Sequence, residues 1–172
     1  MGKIIYLSQD GLDALRSKFD QANEELKKLR ADKAIAYTAT GDTWHDNPYF
    51  NKLEQEEKSK MQEIFELSDQ ISNTRVFSID RRNISRVQLG SIVHLHRYFL
   101  ISGEEDQLVW EIVGFGETDV ERKRVAYNAP MTQSLLGMRT HETIEVESPK
   151  GVVEYEILAL FSSWDDVPED LK

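Results

Sequence analysis

Cysteine is absent from the 172 residues, which excludes disulfides, thiolate chemistry and cysteine-ligated zinc together. Histidine occurs four times and never with the spacing of a metal-ligand set. His94 and His96 alternate with Val93 and Leu95, the pattern of a strand's polar face. No apolar run approaches the ~20 residues of a membrane span, and the opening MGKIIYLSQDG lacks the apolar core of a signal peptide. A cytoplasmic protein that does not touch membranes is expected. Positive charge is also short, with 21 Lys and Arg against 31 Asp and Glu, a formal net charge of −10. Residues 1–75 carry 11 basic and 14 acidic side chains and residues 76–172 carry 10 and 17, so neither half can grip nucleic acid by neutralising phosphates. Lys27, Lys28, Arg30 and Lys33 form the one basic concentration, which reads as a solvated helix face.

Heptad spacing is what the first half does have. Leu12, Leu15, Phe19, Ala22, Leu26 and Leu29 recur at alternating steps of three and four, and Ala36 follows one heptad later, an a/d seam of a coiled coil. Ser8 is placed as an N-cap, Asp10 and Asp13 suit the first turn, and Gly41 suits a stop. A second helix is expected from Pro48 to about Ser72, with the seam Leu53, Glu57, Lys60, Ile64, Leu67, Ile71. Glu57 and Lys60 interrupt that seam, and Met61 and Phe65 are expected to cover part of the gap. A connection of about ten residues makes the pair an antiparallel hairpin. At its far end lies TATGDTWHDN, where no third layer is available to build a pocket. Tyr49 and Phe50 are expected to cap the seam beside it.

After Asn73 the period changes to two. RVFSI, SIVHLHRYFL, QLVWEIVGF, KRVAYNA, ETIEVES and GVVEYEILAL read as strands, with turns at ISGEED, GFGETD and SPKG. PMTQSLLG reads as a short helix started by Pro130 and ended at Gly137. The fold class is therefore α+β: a helical hairpin over 1–75, a mostly antiparallel sheet domain over 76–161, and an acidic tail over 162–172 that reads as a loosely held terminus.

Laid end to end, these features resemble the bacterial Gre transcript-cleavage factors. LSQDGLDALRSKFDQANEELKKLR is similar to the family's opening helix. NAPMTQSLLGMRTHETIEVESPKGVVEYEILAL is similar to its closing run of proline, Leu-Gly helix end, acidic valine-rich strand, Pro-X-Gly turn and Glu-Tyr-Glu-Ile strand. The resemblance implies an FKBP-like C-terminal domain and a monomer that is not itself an enzyme. It implies a coiled coil that enters the secondary channel of RNA polymerase and stimulates that enzyme's own cleavage of backtracked RNA. The RNA 3′ end and DNA are then met only within the elongation complex. The loop before the short helix, Asn128, Ala129 and Pro130, is implied to dock on the channel rim. The family often has serine where Ala129 stands.

The family's tip motif runs Gly-Asp, two variable residues, Glu-Asn, one residue, an acid and Tyr. Gly41 and Asp42 match its start. Aligning Asp46-Asn47 with Glu-Asn needs one inserted residue; keeping the spacing puts His45 at the glutamate and Tyr49 at the tyrosine. The resemblance makes Asp42 and Asp46 carboxylates that are ionised at neutral pH and help ligate a second Mg2+ held mainly by the polymerase, with none bound by the isolated protein. Gly41, Trp44, His45 and Asn47 would support the tip. Read from the residues alone, Asp42 makes an Asx-turn and Asp46 caps the second helix. Two other functions fit the same fold: a Gre-like inhibitor that blocks the channel without cleavage, and an FKBP-like isomerase or chaperone.

Overall fold

The computed structural model describes residues 4–40, 47–78, 82–149 and 151–172. The chain divides into a helical unit, Gln9–Arg75 with the residues up to Ile5, and a sheet unit, Val76–Lys172 with Tyr6–Ser8. Within the first, α1 spans Gln9–Thr40 and α2 spans Pro48–Ser72. At ~1.5 Å rise per residue α1 is roughly 48 Å long. The helices run antiparallel, since Glu25 reaches Lys60 while Arg30 and Lys33, further along α1, reach back to Glu57.

The seam follows the heptads at its ends and departs from them in the middle. Leu12, Ala22, Leu26 and Ala36 of α1 are buried, as are Phe50 and Leu53 of α2. Where Glu57 and Lys60 break the apolar run, ion pairs take over. Glu57 accepts from Arg30 Nε at 2.8 Å and from Lys33 Nζ at 2.7 Å, and Lys60 Nζ donates to Glu25 at 2.8 Å and to Glu63 at 2.6 Å. Met61 and Phe65 cover the gap only in part: Met61 reaches Arg30, but both are exposed, Phe65 by 68%. Each lies one residue past a seam position, ~100° around the helix, at the rim of the seam, where Met61 Sδ still accepts from Arg30 Nη2 at 3.8 Å.

In the sheet unit the strands are β3 Ile92–Phe99, β4 Glu105–Val113, β5 Arg124–Ala126, β6 Thr143–Ser148 and β7 Gly151–Phe161, ordered β5-β4-β3-β7-β6. All pairings are antiparallel except β4 with β5. Val93 and Leu95 of β3 join Val153, Tyr155 and Ile157 of β7 in one core, closed by Leu135 of α3, Pro130–Leu135. His94 and His96 face the other way, against Gln107 and Glu105, as the alternation predicts. Two short strands, β1 Ile5–Leu7 and β2 Thr74–Val76, make a separate two-stranded sheet. Three residues of β1 are too few to show a period. The architecture is α+β, and among the described residues no helix is long and apolar enough to cross a membrane.

The acidic tail departs from expectation. It forms two 3-10 turns, Trp164–Asp166 and Glu169–Leu171, and is docked. Val167 is 2% exposed, in a cluster with Ile92 and Val109. Its apolar residues Trp164, Val167 and Leu171 are spread among acids, so no window of the tail reads as hydrophobic, yet each finds the sheet.

Glu57→Gln keeps the side chain's shape and removes its charge. We expect it to lower the stability of the helical unit by about 1 kcal/mol at pH 7, measured by urea titration followed through helical circular dichroism. Hydrogen bonds from Lys33 and then Arg30 hold the Glu57 carboxyl below the usual carboxylate range. With the folded-state pKa depressed, the contribution is complete above the unfolded value near ~4.3 and disappears as pH falls through the folded value. The difference between parent and variant should narrow as the titration is moved down through that range. A pH-independent difference rules the charge out as its source.

Candidate functional site

Gly41, Asp42, Trp44, His45 and Asp46 lie outside the described residues. Asn47, at φ −83° and ψ 107°, is the N-cap of α2, and its Oδ1 accepts from Tyr49 N at 3.0 Å and Phe50 N at 3.4 Å. Pro48 follows, where a missing N–H costs nothing. The cap belongs to Asn47 and not to Asp46, a correction to the expected chemistry of Asp-Asn-Pro. An asparagine satisfies these first amides without charge.

Phe50 fixes the same end from inside. It is 5% exposed, packed on Ala36, Leu53 and Leu29, with the Tyr37 ring 6.3 Å away and Lys33 Nζ 5.4 Å from its centroid. Tyr49 is 55% exposed, so of the two expected seam caps only Phe50 is one. Segment 41–46 is thus entered from a helix and left into a capped helix, both ends anchored in one apolar cluster. Three of the four basic residues of the cluster are paired: Lys27 with Glu24, and Arg30 and Lys33 with Glu57. A cleft of about 410 Å3 lined by Arg30, Lys33, Tyr37 and Phe50 also has Glu57 in its wall, which sets a carboxylate against any phosphate.

The second candidate region follows β5. Tyr127 N donates to Val113 O at 2.9 Å and Ala129 N to Ala126 O at 3.0 Å, turning the chain into α3. Asn128 is half-buried, and its Oδ1 accepts from Gly116 N at 3.3 Å, which ties the loop to GFGETD. Asn128 therefore shapes the loop, and the exposed Pro130 is what the loop presents. Ala129 occupies the N-cap of α3 and makes no side-chain cap. Two positions further into the helix than Pro130, the fully buried Thr132 Oγ1 has no hydrogen-bond partner among the described residues. The departure from serine thus leaves a helix start uncapped next to an unpaired hydroxyl. Among the described residues no group of three or more potential ligands could hold a metal ion.

Glu117 is a residue the sequence pattern did not single out. Its Oε1 accepts from Ser8 N at 3.1 Å and Ser8 Oγ at 2.5 Å, and its Oε2 from Gly114 N at 2.8 Å. No local spacing could reveal a partner 109 residues away.

Sequence comparison relates the chain, an antiparallel hairpin and a sheet domain with a proline-started helix after β5, to known proteins. Residues 82–161 match the family described as "Transcription elongation factor, GreA/GreB, C-term". Transcription elongation factor GreA of Brucella canis is 26% identical over 148 residues, covering 83% of this chain and 92% of that one; GreA of Brucella suis matches to the same extent. The crystal structure of GreA factor homolog 1 (Gfh1) of Thermus thermophilus aligns over 93% of this chain and all of that one at 22% identity, with a TM-score of 0.42, too low to add to the sequence match. Residues 82–161, just under half of the chain, are thus similar to the C-terminal domain of the GreA/GreB transcription elongation factors, and the chain as a whole is similar to GreA at 26% identity.

Two substitutions check the helix starts. Asn47→Ala should cost about 1 kcal/mol, with faster amide exchange at Tyr49 and Phe50, while Asn47→Asp keeps both protected. Ala129→Ser supplies the missing cap and should stabilise the sheet unit by about 1 kcal/mol, measured as a rise in its melting temperature. An unchanged or lower melting point would show that the α3 start is satisfied in another way.

Proposed function

We propose that this chain acts on RNA polymerase in the cytoplasm as a Gre-type elongation factor: the helical hairpin enters the secondary channel, and the acids of segment 41–46 help the polymerase cleave its own backtracked RNA. One observation carries the reading. A domain of the GreA/GreB family follows a two-helix hairpin whose turn carries Gly41-Asp42 and Asp46-Asn47. The sheet unit would dock on the channel rim through the loop Asn128–Pro130.

A hairpin tip has no walls, so its acids can complete only a site that another molecule begins. The donor set suits magnesium, which prefers oxygen ligands and is usually held by one or two carboxylates, with water and phosphate supplying the rest. When bound between polymerase and tip, that ion would polarise the phosphodiester and lower the pKa of the attacking water. Asp42 would ligate it. Asp46 would be a second ligand or would orient the water, and Asn47, by fixing the start of α2, would hold the adjacent carboxylate in place. On this reading the polymerase carries the reaction and the chain lends it ligands.

The inserted residue and the shorter Asp46 favour one rival. Misplacing a reacting group by ~1 Å can cost ~10²-fold, so a tip that docks without aligning its acids would block the channel and inhibit. A single assay decides. Backtracked elongation complexes are incubated with Mg2+ and the protein, and the RNA is sized on a gel. Short 3′-terminal fragments that fall by about 10²-fold or more with Asp42→Ala support cleavage. Slower synthesis without fragments overturns cleavage in favour of inhibition. No effect on any polymerase, combined with prolyl isomerase activity, overturns both.

A further inference from the structure

We propose that residues 162–172 are a clip that holds β5 against β4 and so positions the loop Asn128–Pro130; the consequence for docking rests on the Gre reading above. The segment follows the part of the chain that matches the family, residues 82–161, and its contacts converge on the edge of the sheet that feeds the loop.

The centre of the clip is Glu111, a β4 residue only 4% exposed. Arg82 Nη2 donates to its Oε1 at 2.6 Å; Arg124 Nε, at the start of β5, and Trp164 Nε1 donate to its Oε2 at 3.3 Å and 3.4 Å. One carboxylate therefore joins β4, β5 and the C-terminal segment. A buried carboxylate stripped of any of these donors is costly, so the three are held as a set. Arg82 also donates to Ser162 O at 3.3 Å, and Val167 seals the other side on Ile92 and Val109.

The second tie is Lys123. Its backbone sits at φ 52°, a conformation unfavourable for a residue with a Cβ. Its carbonyl accepts from Glu111 N at 2.8 Å, and its Nζ donates to Leu171 O at 2.6 Å. A three-residue parallel edge strand is weak in isolation. β5 is such a strand, and only Tyr127 separates its last residue from Asn128. An outside brace is what a loop that must keep its shape at that edge requires.

Amide hydrogen exchange on the full chain tests the clip, comparing the parent with Lys123→Met, which removes one hydrogen bond, and Val167→Ala, which loosens the apolar seal. The amides of Glu111, bonded to Lys123 O, and Tyr127, bonded to Val113 O, should exchange about tenfold faster. Those of His141 and Ile157, which bond Ile157 O and Glu142 O on the opposite side of the sheet, should not change. Unchanged exchange at Glu111 and Tyr127 overturns the clip; equal acceleration at all four overturns it in favour of general stabilisation. Binding to core RNA polymerase tests the consequence. Severalfold weaker binding by Lys123→Met supports it, and equal binding by parent and variant overturns the positioning of the loop. A parent that does not bind at all overturns the Gre docking reading itself, with the clip judged by exchange alone.

Discussion

Two helices have one seam between them, and every other property of the N-terminal unit follows from that limit. A coiled-coil pair buries little more than its a and d positions, so the hairpin has no third layer from which to build a pocket. Stability has to come from the length of the seam and from pairs across it. Chemistry has to be supplied from outside. The chain meets the first requirement with Glu57 and Lys60, which occupy seam positions and use them to reach Arg30, Lys33 and Glu25 on the facing helix. These pairs also set the register: a shift of one heptad would bring each charge against a different neighbour. Charge at a seam is a cost in stability and a gain in specificity, and an antiparallel hairpin that must present its turn at a fixed place benefits from the exchange.

The same clamp disposes of the basic cluster as a nucleic-acid patch. Arg30 and Lys33 of that cluster are both held by one carboxylate, and Lys52, closer to the turn on α2, pairs with Glu56. With a net charge of −10, the protein has no free field with which to attract RNA at long range. On the proposed function, access to a transcript would be delivered by protein contacts, and recognition would fall to the sheet unit. That unit has the matching property. Its loop at Asn128–Pro130 is fixed by backbone bonds to Ala126 and Val113 and by the Asn128 side chain to Gly116, so it presents Pro130 on a defined support.

Elements with a long period were legible in the sequence, and elements fixed by distant partners were not. Leu12, Ala22, Leu26 and Ala36 announced the seam because a helix repeats its environment every heptad, and Pro48 and Pro130 marked helix starts because the ring tolerates little else. β3 and β7 were visible because alternate residues face one core. Phe65 was misplaced because a one-residue offset, invisible to a count of hydrophobics, turns a side chain from the seam to solvent. The cap was misplaced by one residue for a similar reason: Asp46 and Asn47 are both good caps, and only the backbone at Asn47 decides between them. β1 and the tail were illegible because three residues carry no period and because Trp164, Val167 and Leu171 become apolar anchors only once the sheet supplies Ile92 and Val109. Of the candidate site, the sequence carried the acids and the turn, since those are matters of residue type.

Ala129 shows that a helix can start without a side-chain cap. The helix it begins still forms, because Pro130 sets the first turn and Leu135 is buried in the core; those two forces exceed the stabilisation a cap contributes. What is lost is local. The first amides of α3 have no side-chain acceptor, and Thr132 Oγ1 is unpaired in the interior. A weakly capped start at the end of a loop is free to adjust where a capped one is not. Bracing that loop from behind, through Glu111, Lys123 and the C-terminal turns, restores from a distance the order that a serine would have supplied in place. The two features belong together on physical grounds, as a missing hydrogen bond at the loop's front and additional ones at its back.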